Sequence, residues 1–385
     1  MTCHEKHETT KPVMKRSRYL TLGVAFMAIT TTFAFAASTA RAADLPGRMT
    51  DQEFWRLITE LSEPGGVFQQ EFMSNEDSAQ FVIPALKETT RRGGVYVGVG
   101  PEQNFTYIAA IQPKLAFLVD IRRENMLQHL MYKALFELST DRADFLSRLF
   151  SRKRPPGLDT RSSVTTLLDA YRAAEADPGL FDDNVRAVPD LLTRGHGFQL
   201  SDGDTVALTR LMQVFRMAGP HDLKGSGDKN LTYAQAMTAT DLTGNHQSYL
   251  ASEDNFRIVQ DLERRNLIVP IVGDFAGDKA LAGVGRYLEE RDAIVNVFYV
   301  SNVERYLFDR RDRGQPFYAN VARLPLDRSS TFIRSVTRDI SRRLGIPLPE
   351  SNVNWWSFLF SIRACLEAVA SGRVETYRQL FEVGR

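Results

Sequence analysis

Val95-Tyr96-Val97-Gly98-Val99-Gly100-Pro101-Glu102 is a short β-rich run that passes through two glycines. Leu115-Ala116-Phe117-Leu118-Val119-Asp120 is a continuous apolar run that ends in an acid. Phe105 to Ile111, between them, reads as a helix closed by Pro113. A strand, a helix and a second strand this close together predict a parallel, right-handed unit. The second run has the pattern of a strand covered on both faces. Glycines after a strand let a ligand approach the backbone, and the next helix offers unpaired N–H groups at its start. An acid about 20 residues on, at the end of the following strand, can accept two ribose hydroxyl hydrogen bonds. Gly100 and Asp120 are 20 residues apart. The same residues also fit a tight turn without a ligand, with Asp120 capping a helix or pairing with Arg122 or Arg123.

Before this unit, residues 44–92 read as helices that lead into the sheet. Thr50 and Glu53 form a capping-box pattern, and Phe54, Leu57, Ile58 and Leu61 follow at helical spacing. Pro64-Gly65-Gly66 ends that helix, and a second covers about residues 78–91. After the unit, residues 124–265 are mainly helical, with candidate helices at 125–138, 142–150, 163–174 and 205–217. A segment this long is too large for an ordinary crossover and predicts an inserted helical subdomain.

The strand pattern returns at Leu267-Ile268-Val269-Pro270-Ile271-Val272, followed by Gly273-Asp274-Phe275. Residues 279–290 read as a helix. Ala293 to Val300 is the strongest strand, ending at Ser301-Asn302, and Tyr318 to Leu324 is a weaker one. The C-terminal part reads as helical: Trp355, Trp356, Phe358, Leu359, Ile362 and Leu366 fill a broad apolar face, and Gly372 is a C-cap. Cys365 in this helix is a small buried hydrophobe.

The chain has 385 residues, 48 basic and 47 acidic, for a net charge of +1. Neither sign dominates, so the footprint of a nucleic-acid binder is missing. Lys15-Arg16-Ser17-Arg18, an uncharged stretch from Tyr19 to Ala37, and Ala40-Arg41-Ala42 have the anatomy of a secretory signal peptide. Met14 is an alternative start, and an uncleaved membrane anchor is the alternative to cleavage. This divides the chain into a cleavable leader (1–42), N-terminal helices and the first half of the core (43–123), the helical insertion (124–265), and the second half of the core with C-terminal helices (266–385). The expected location is periplasmic or secreted, without a membrane segment after cleavage.

Residues 93–123 and 266–324 resemble the class I S-adenosylmethionine-dependent methyltransferase fold. The resemblance implies a Rossmann-like α/β core with a mainly parallel sheet and the helical insertion between its second and third strands. It implies that Gly98 and Gly100 are the cofactor-loop glycines, Asp120 the ribose-binding acid and Asp274 a residue beside the adenine. It puts Asn302 on the substrate side. The chain also resembles an uncharacterised family of exported bacterial proteins with this core, through residues 248–256, 272–277 and 324–330. That second likeness implies fold and not chemistry.

The usual third glycine of the loop is missing, and Glu102 lies in its neighbourhood. A carboxylate facing the cleft there would repel the pyrophosphate of NAD more than it would repel S-adenosylmethionine. No closing hairpin is evident after Leu324.

Gly244-Asn245-His246-Gln247-Ser248-Tyr249 is dense in polar groups. His246 has the chemistry of a general base, and Ser248 and Tyr249 would fold over the cleft as a lid. The bland alternative is a polar loop with a helix N-cap at Ser252 and Asn255. No metal is expected, because His129, His196, His221 and His246 pair with no other His or Cys at ligand spacing. Serine chemistry lacks its G-x-S-x-G elbow.

The reading is therefore an exported protein that binds a small molecule at the sheet edge, with S-adenosylmethionine as the expected cofactor. For an enzyme, the leading reaction is methyl transfer, with Asn302 or Tyr306 orienting the acceptor. The rival is a binding protein that keeps the scaffold without catalysis.

Overall fold

The computed structural model describes residues 44–69, 71–225, 231–309, 313–345, 348 and 353–383. The leader read at residues 1–42 lies outside the described residues. Among the described residues, no helix is long and apolar enough to cross a membrane.

Six strands form one sheet: β1 (Val95–Gly98), β2 (Leu115–Asp120), β3 (Ile268–Val272), β4 (Val295–Ser301), β5 (Thr331–Thr337) and β6 (Trp355–Ser361). Their order is β3-β2-β1-β4-β5-β6, parallel except for β6, which runs antiparallel to β5. Every residue of β1, β2 and β3 is buried, as their unbroken apolar runs require of strands covered on both faces. The register pairs Gly98 with Leu118 and Tyr299, and Asp120 with Val272. The chain therefore leaves β1, β2, β3 and β4 along one edge.

Thr50 and Glu53 make the expected capping box at the start of the helix Asp51–Leu61. That helix packs its apolar stripe on β3. Residues 62–69 and 71–76 do not continue as helix. They run as an irregular strap along the carboxyl edge of the sheet, tied by Gly66 N–H to the Ile121 carbonyl at 2.8 Å and by Gln128 Nε2 to the Phe72 carbonyl at 2.6 Å.

The segment between β2 and β3 is helical, from Arg123–Leu138 through Glu253–Arg264. It shares its hydrophobic core with the sheet. Arg123–Leu138 packs directly on β2 and β3, so it carries buried residues around nearly its whole circumference.

Two sequence expectations fail here. Tyr318–Leu324 is not a strand; the helix Gly314–Val321 occupies that segment. Phe317, Tyr318 and Val321 face the core while Ala319 faces out, a helical period too short to recognise in seven residues. Trp355–Ser361 is not helix but strand β6, and only Ile362–Ala370 is helical. Its partner β5 carries Arg334 at its centre, and that charge hid the strand. An antiparallel pair thus does close the sheet after Leu324. Gly372 has φ of +72° just beyond the helix Ile362–Ala370, as expected of a C-terminal cap.

Candidate functional site

A cavity of about 390 Å³ opens at the carboxyl edge of the sheet. It is bordered by Gly100 and Pro101 after β1, Asp120 and Ile121 after β2, Gly273 and Asp274 after β3, and Ser301 and Asn302 at the end of β4. The strap forms the opposite wall with Phe68, Ser74 and Glu76. Tyr306, Arg313 and Trp355 complete it. Tyr306 packs edge-on against Phe68, ring centroids 5.0 Å apart. The bare backbone at 100 and the carboxylate at 120 therefore share one hollow.

The β1 loop is held from below. Asn104 Nδ2 donates to the carbonyls of Val99, Gly100 and Pro101 at 3.0, 3.0 and 2.7 Å, while Tyr96 O–H donates to Asn104 Oδ1 at 2.8 Å. His129 Nε2 lies 2.9 Å from the Gly100 carbonyl. A carbonyl only accepts, so Nε2 carries the hydrogen. Burial lowers the pKa of His129 to about 4, and the ring stays neutral at ordinary pH. Gly100 sits at φ +77°, and a Cβ built there meets no atom within 4 Å. Gly98 has another task. A Cβ there would fall 2.0 Å from Asn104 Oδ1, so Gly98 makes room for the loop anchor and does not line the cavity.

Asp120 and Arg122 form a buried, two-pronged ion pair. Arg122 N and Nε donate to Asp120 Oδ1 at 2.9 and 3.0 Å, and Nη2 donates to Oδ2 at 2.9 Å. Asp274 is also engaged: Arg313 donates to its Oδ2 and the Ala276 N–H to its Oδ1 at 2.9 Å. Ser301 holds a left-handed backbone, φ +51°, uncommon for a residue with a side chain. It lies at a register break between β4 and β5 and donates to Glu76.

Glu102 does not face the cleft. It is fully buried behind the loop, with both oxygens 3.2 Å from the Ser74 N–H. Burial raises its pKa to about 8, so it is neutral at pH 7. The repulsion expected from a carboxylate at this position is therefore not exerted.

The lid residues are elsewhere. Tyr249 is buried among the rings of Phe105, Phe136 and Phe145 and shares a hydrogen bond with Tyr233. Ser248 donates to the Met237 carbonyl at 2.8 Å. His246 is exposed, its Nδ1 3.1 Å from the Ala239 carbonyl. None of the three lines the cavity, because the aromatic cluster draws this segment into the helical layer. The strap at 62–76 covers the cavity instead. Sequence reasoning passed over the strap and its Glu76. A glycine-rich helix exit followed by Glu71 and Glu76 was the only signal, and it is a weak one.

Among the described residues, no three His, Cys, Asp or Glu side chains gather where they could hold a metal ion. Residues 72–361 match the model of a family described as Domain of unknown function (DUF7790). The chain belongs to that family. The matched region takes in all six strands and the cavity residues from Ser74 to Trp355. No curated protein matches the chain.

Proposed function

We propose that the cavity binds a nucleoside-type small molecule, with S-adenosylmethionine the leading candidate, in a protein exported from the cell. The observation that carries this reading is the convergence of Gly100, Asp120, Asp274 and Asn302 on one cavity. They follow four neighbouring parallel strands, at the point where the strand order reverses between β1 and β4. Ligands of open α/β sheets bind outside the carboxyl ends of the strands at such a reversal. Export rests on the pattern at residues 15–42 alone.

The residues fit the group with one change from the sequence expectation. Asp120 Oδ1 already accepts two hydrogen bonds and Oδ2 one. A carboxylate offers about four acceptor sites, so Asp120 is left with one for a ribose hydroxyl rather than two. Gly100 leaves open space beside the loop, where a ligand can approach the backbone. When bound, S-adenosylmethionine supplies an electrophilic methyl group. Asn302 and Tyr306 are then the cavity residues placed to orient an acceptor, and alignment with exclusion of water is the main contribution such a site makes. The Arg122 guanidinium on Asp120 favours a second reading, a binding protein that has kept the scaffold without the reaction.

Thermal unfolding with S-adenosylmethionine, S-adenosylhomocysteine and NAD tests the binding, because a ligand of the folded state raises the melting temperature by mass action. The reading requires a saturable rise with the two adenosyl compounds. No rise with any of the three refutes it. A rise without methyl consumption, across a panel of acceptors, selects the non-catalytic reading.

A further inference from the structure

Glu76 is a buried carboxyl, 4% exposed, in the cavity wall next to β4 and β5. Ser301 O–H donates to its Oε1, and Ser335 O–H donates to its Oε2 at 2.6 Å. Ser335 is in turn 3.1 Å from the Ser357 hydroxyl. Hydroxyls donating to both oxygens favour the charged form of a carboxyl. Yet no cation stands against it: among the described residues, no Lys, Arg or His forms an ion pair with Glu76.

Among the described residues, the arginines that line the cavity are engaged elsewhere or exposed. Arg122 is on Asp120 and Arg313 on Asp274. Arg305 is 3.6 Å from Asp309, and Arg343 is exposed. Glu71 opposes its ionisation, Tyr299 donates a further hydrogen bond to it, and Tyr107 and Tyr96 stand nearby. Burial pushes the Glu76 carboxyl above its ordinary range. A desolvated carboxylate with hydrogen-bond donors in place lacks only a counter-ion. The adjoining walls are aromatic, with Tyr299, Tyr306 and Trp355, and aromatic faces attract cations.

We propose that Glu76 is the counter-charge for a cationic amine, carried by a small ligand that occupies the β4 to β6 side of this cavity. This rests on reading the cavity as a ligand site. The Glu76 carboxylate pairs with the ammonium group while the two serine hydroxyls keep donating to its oxygens.

The probe is 2-phenylethylamine, compared with the neutral 2-phenylethanol and the anionic phenylacetate, by calorimetry at pH 7. The amine is expected to bind at least tenfold more tightly than either analogue. Glu76→Gln is expected to lose that tenfold preference. Equal binding of amine and alcohol, no binding of the amine, or an amine affinity unchanged in Glu76→Gln overturns the proposal. If Glu76→Gln does not fold, infrared difference spectra of the native protein decide. Amine binding must shift a buried-carboxylate band, and unchanged carboxylate bands refute the idea. Binding of S-adenosylhomocysteine to Glu76→Gln separates the two readings. Retained adenosyl binding with no amine preference in the native protein sinks only the amine proposal.

Discussion

Arg122 grips both carboxylate oxygens of Asp120, and the two residues lie side by side, buried, at the mouth of the strand that supplies the acid. Truncating Asp120 therefore strands a buried guanidinium. Asp120→Ala is expected to cost about 3–5 kcal/mol of stability, in line with breaking a buried pair. The double variant Asp120→Ala with Arg122→Leu is expected to cost less than Asp120→Ala alone. Urea unfolding measures both. A single variant as stable as the native protein contradicts the pairing.

The Glu102 carboxyl titrates at about 8 in the folded protein, above its ordinary 4.5. The folded state thus binds the extra proton between those values. This stabilisation is complete below 4.5 and is lost as pH rises through 8. Glu263, also raised to about 8 by burial, acts in the same direction. Glu102→Gln is expected to flatten, but not abolish, the fall in stability between pH 5 and 8. His129 has the opposite sign: its lowered pKa gives stability that is present above 6.5 and lost as pH falls through about 4. Melting temperatures across pH check all three, and an unchanged slope in Glu102→Gln contradicts the assignment.

His196 bridges two carboxylates, Nδ1 to Asp51 Oδ1 at 2.9 Å and Nε2 to Glu137 Oε2 at 2.8 Å. Burial works against its charge, but the Glu137 carboxylate outweighs it and raises the pKa. The bridge contributes stability fully below 6.5 and loses it as pH rises through the folded value. An NMR titration should place His196 above 6.5, and His196→Asn should remove its share of the pH dependence. A midpoint below 6.5 contradicts this.

Arg334 has no exposed surface. It lies between the rings of Phe332 and Phe360, 4.6 Å from each centroid, and donates to both oxygens of Glu304. Arg334→Met keeps the volume but leaves Glu304 buried and uncompensated. A loss of about 3–5 kcal/mol is expected, with partial recovery in the double variant Arg334→Met with Glu304→Gln. Denaturant unfolding of the two variants beside the native protein checks this, and equal loss in the single and double variants contradicts it.

The readable parts of the sequence were those where one local rule was enough. Unbroken apolar runs mark β1 to β4, and the Gly100-to-Asp120 spacing alone points to two residues that share the cavity. Long-range pairing hid the rest. Arg334 is tolerated in a central strand only because Glu304, distant in sequence, neutralises it. The aromatics of β6 suit helix and strand equally until β5 is there to pair with them. Tyr249 looked like a loop residue because its partners Phe105 and Phe136 come from other helices. Glu76 has only a weak local signature, since its meaning lies in Ser301 and Ser335.

The most direct test of the cavity is calorimetric titration of S-adenosylhomocysteine into the native protein and into Gly100→Asn. Asparagine tolerates a positive φ, and its side chain grows into open space beside the loop, so the fold should survive. The account predicts one-to-one saturable binding to the native protein and at least a tenfold loss in the variant. Equal affinity in the two proteins, or no binding to the folded native chain, contradicts it.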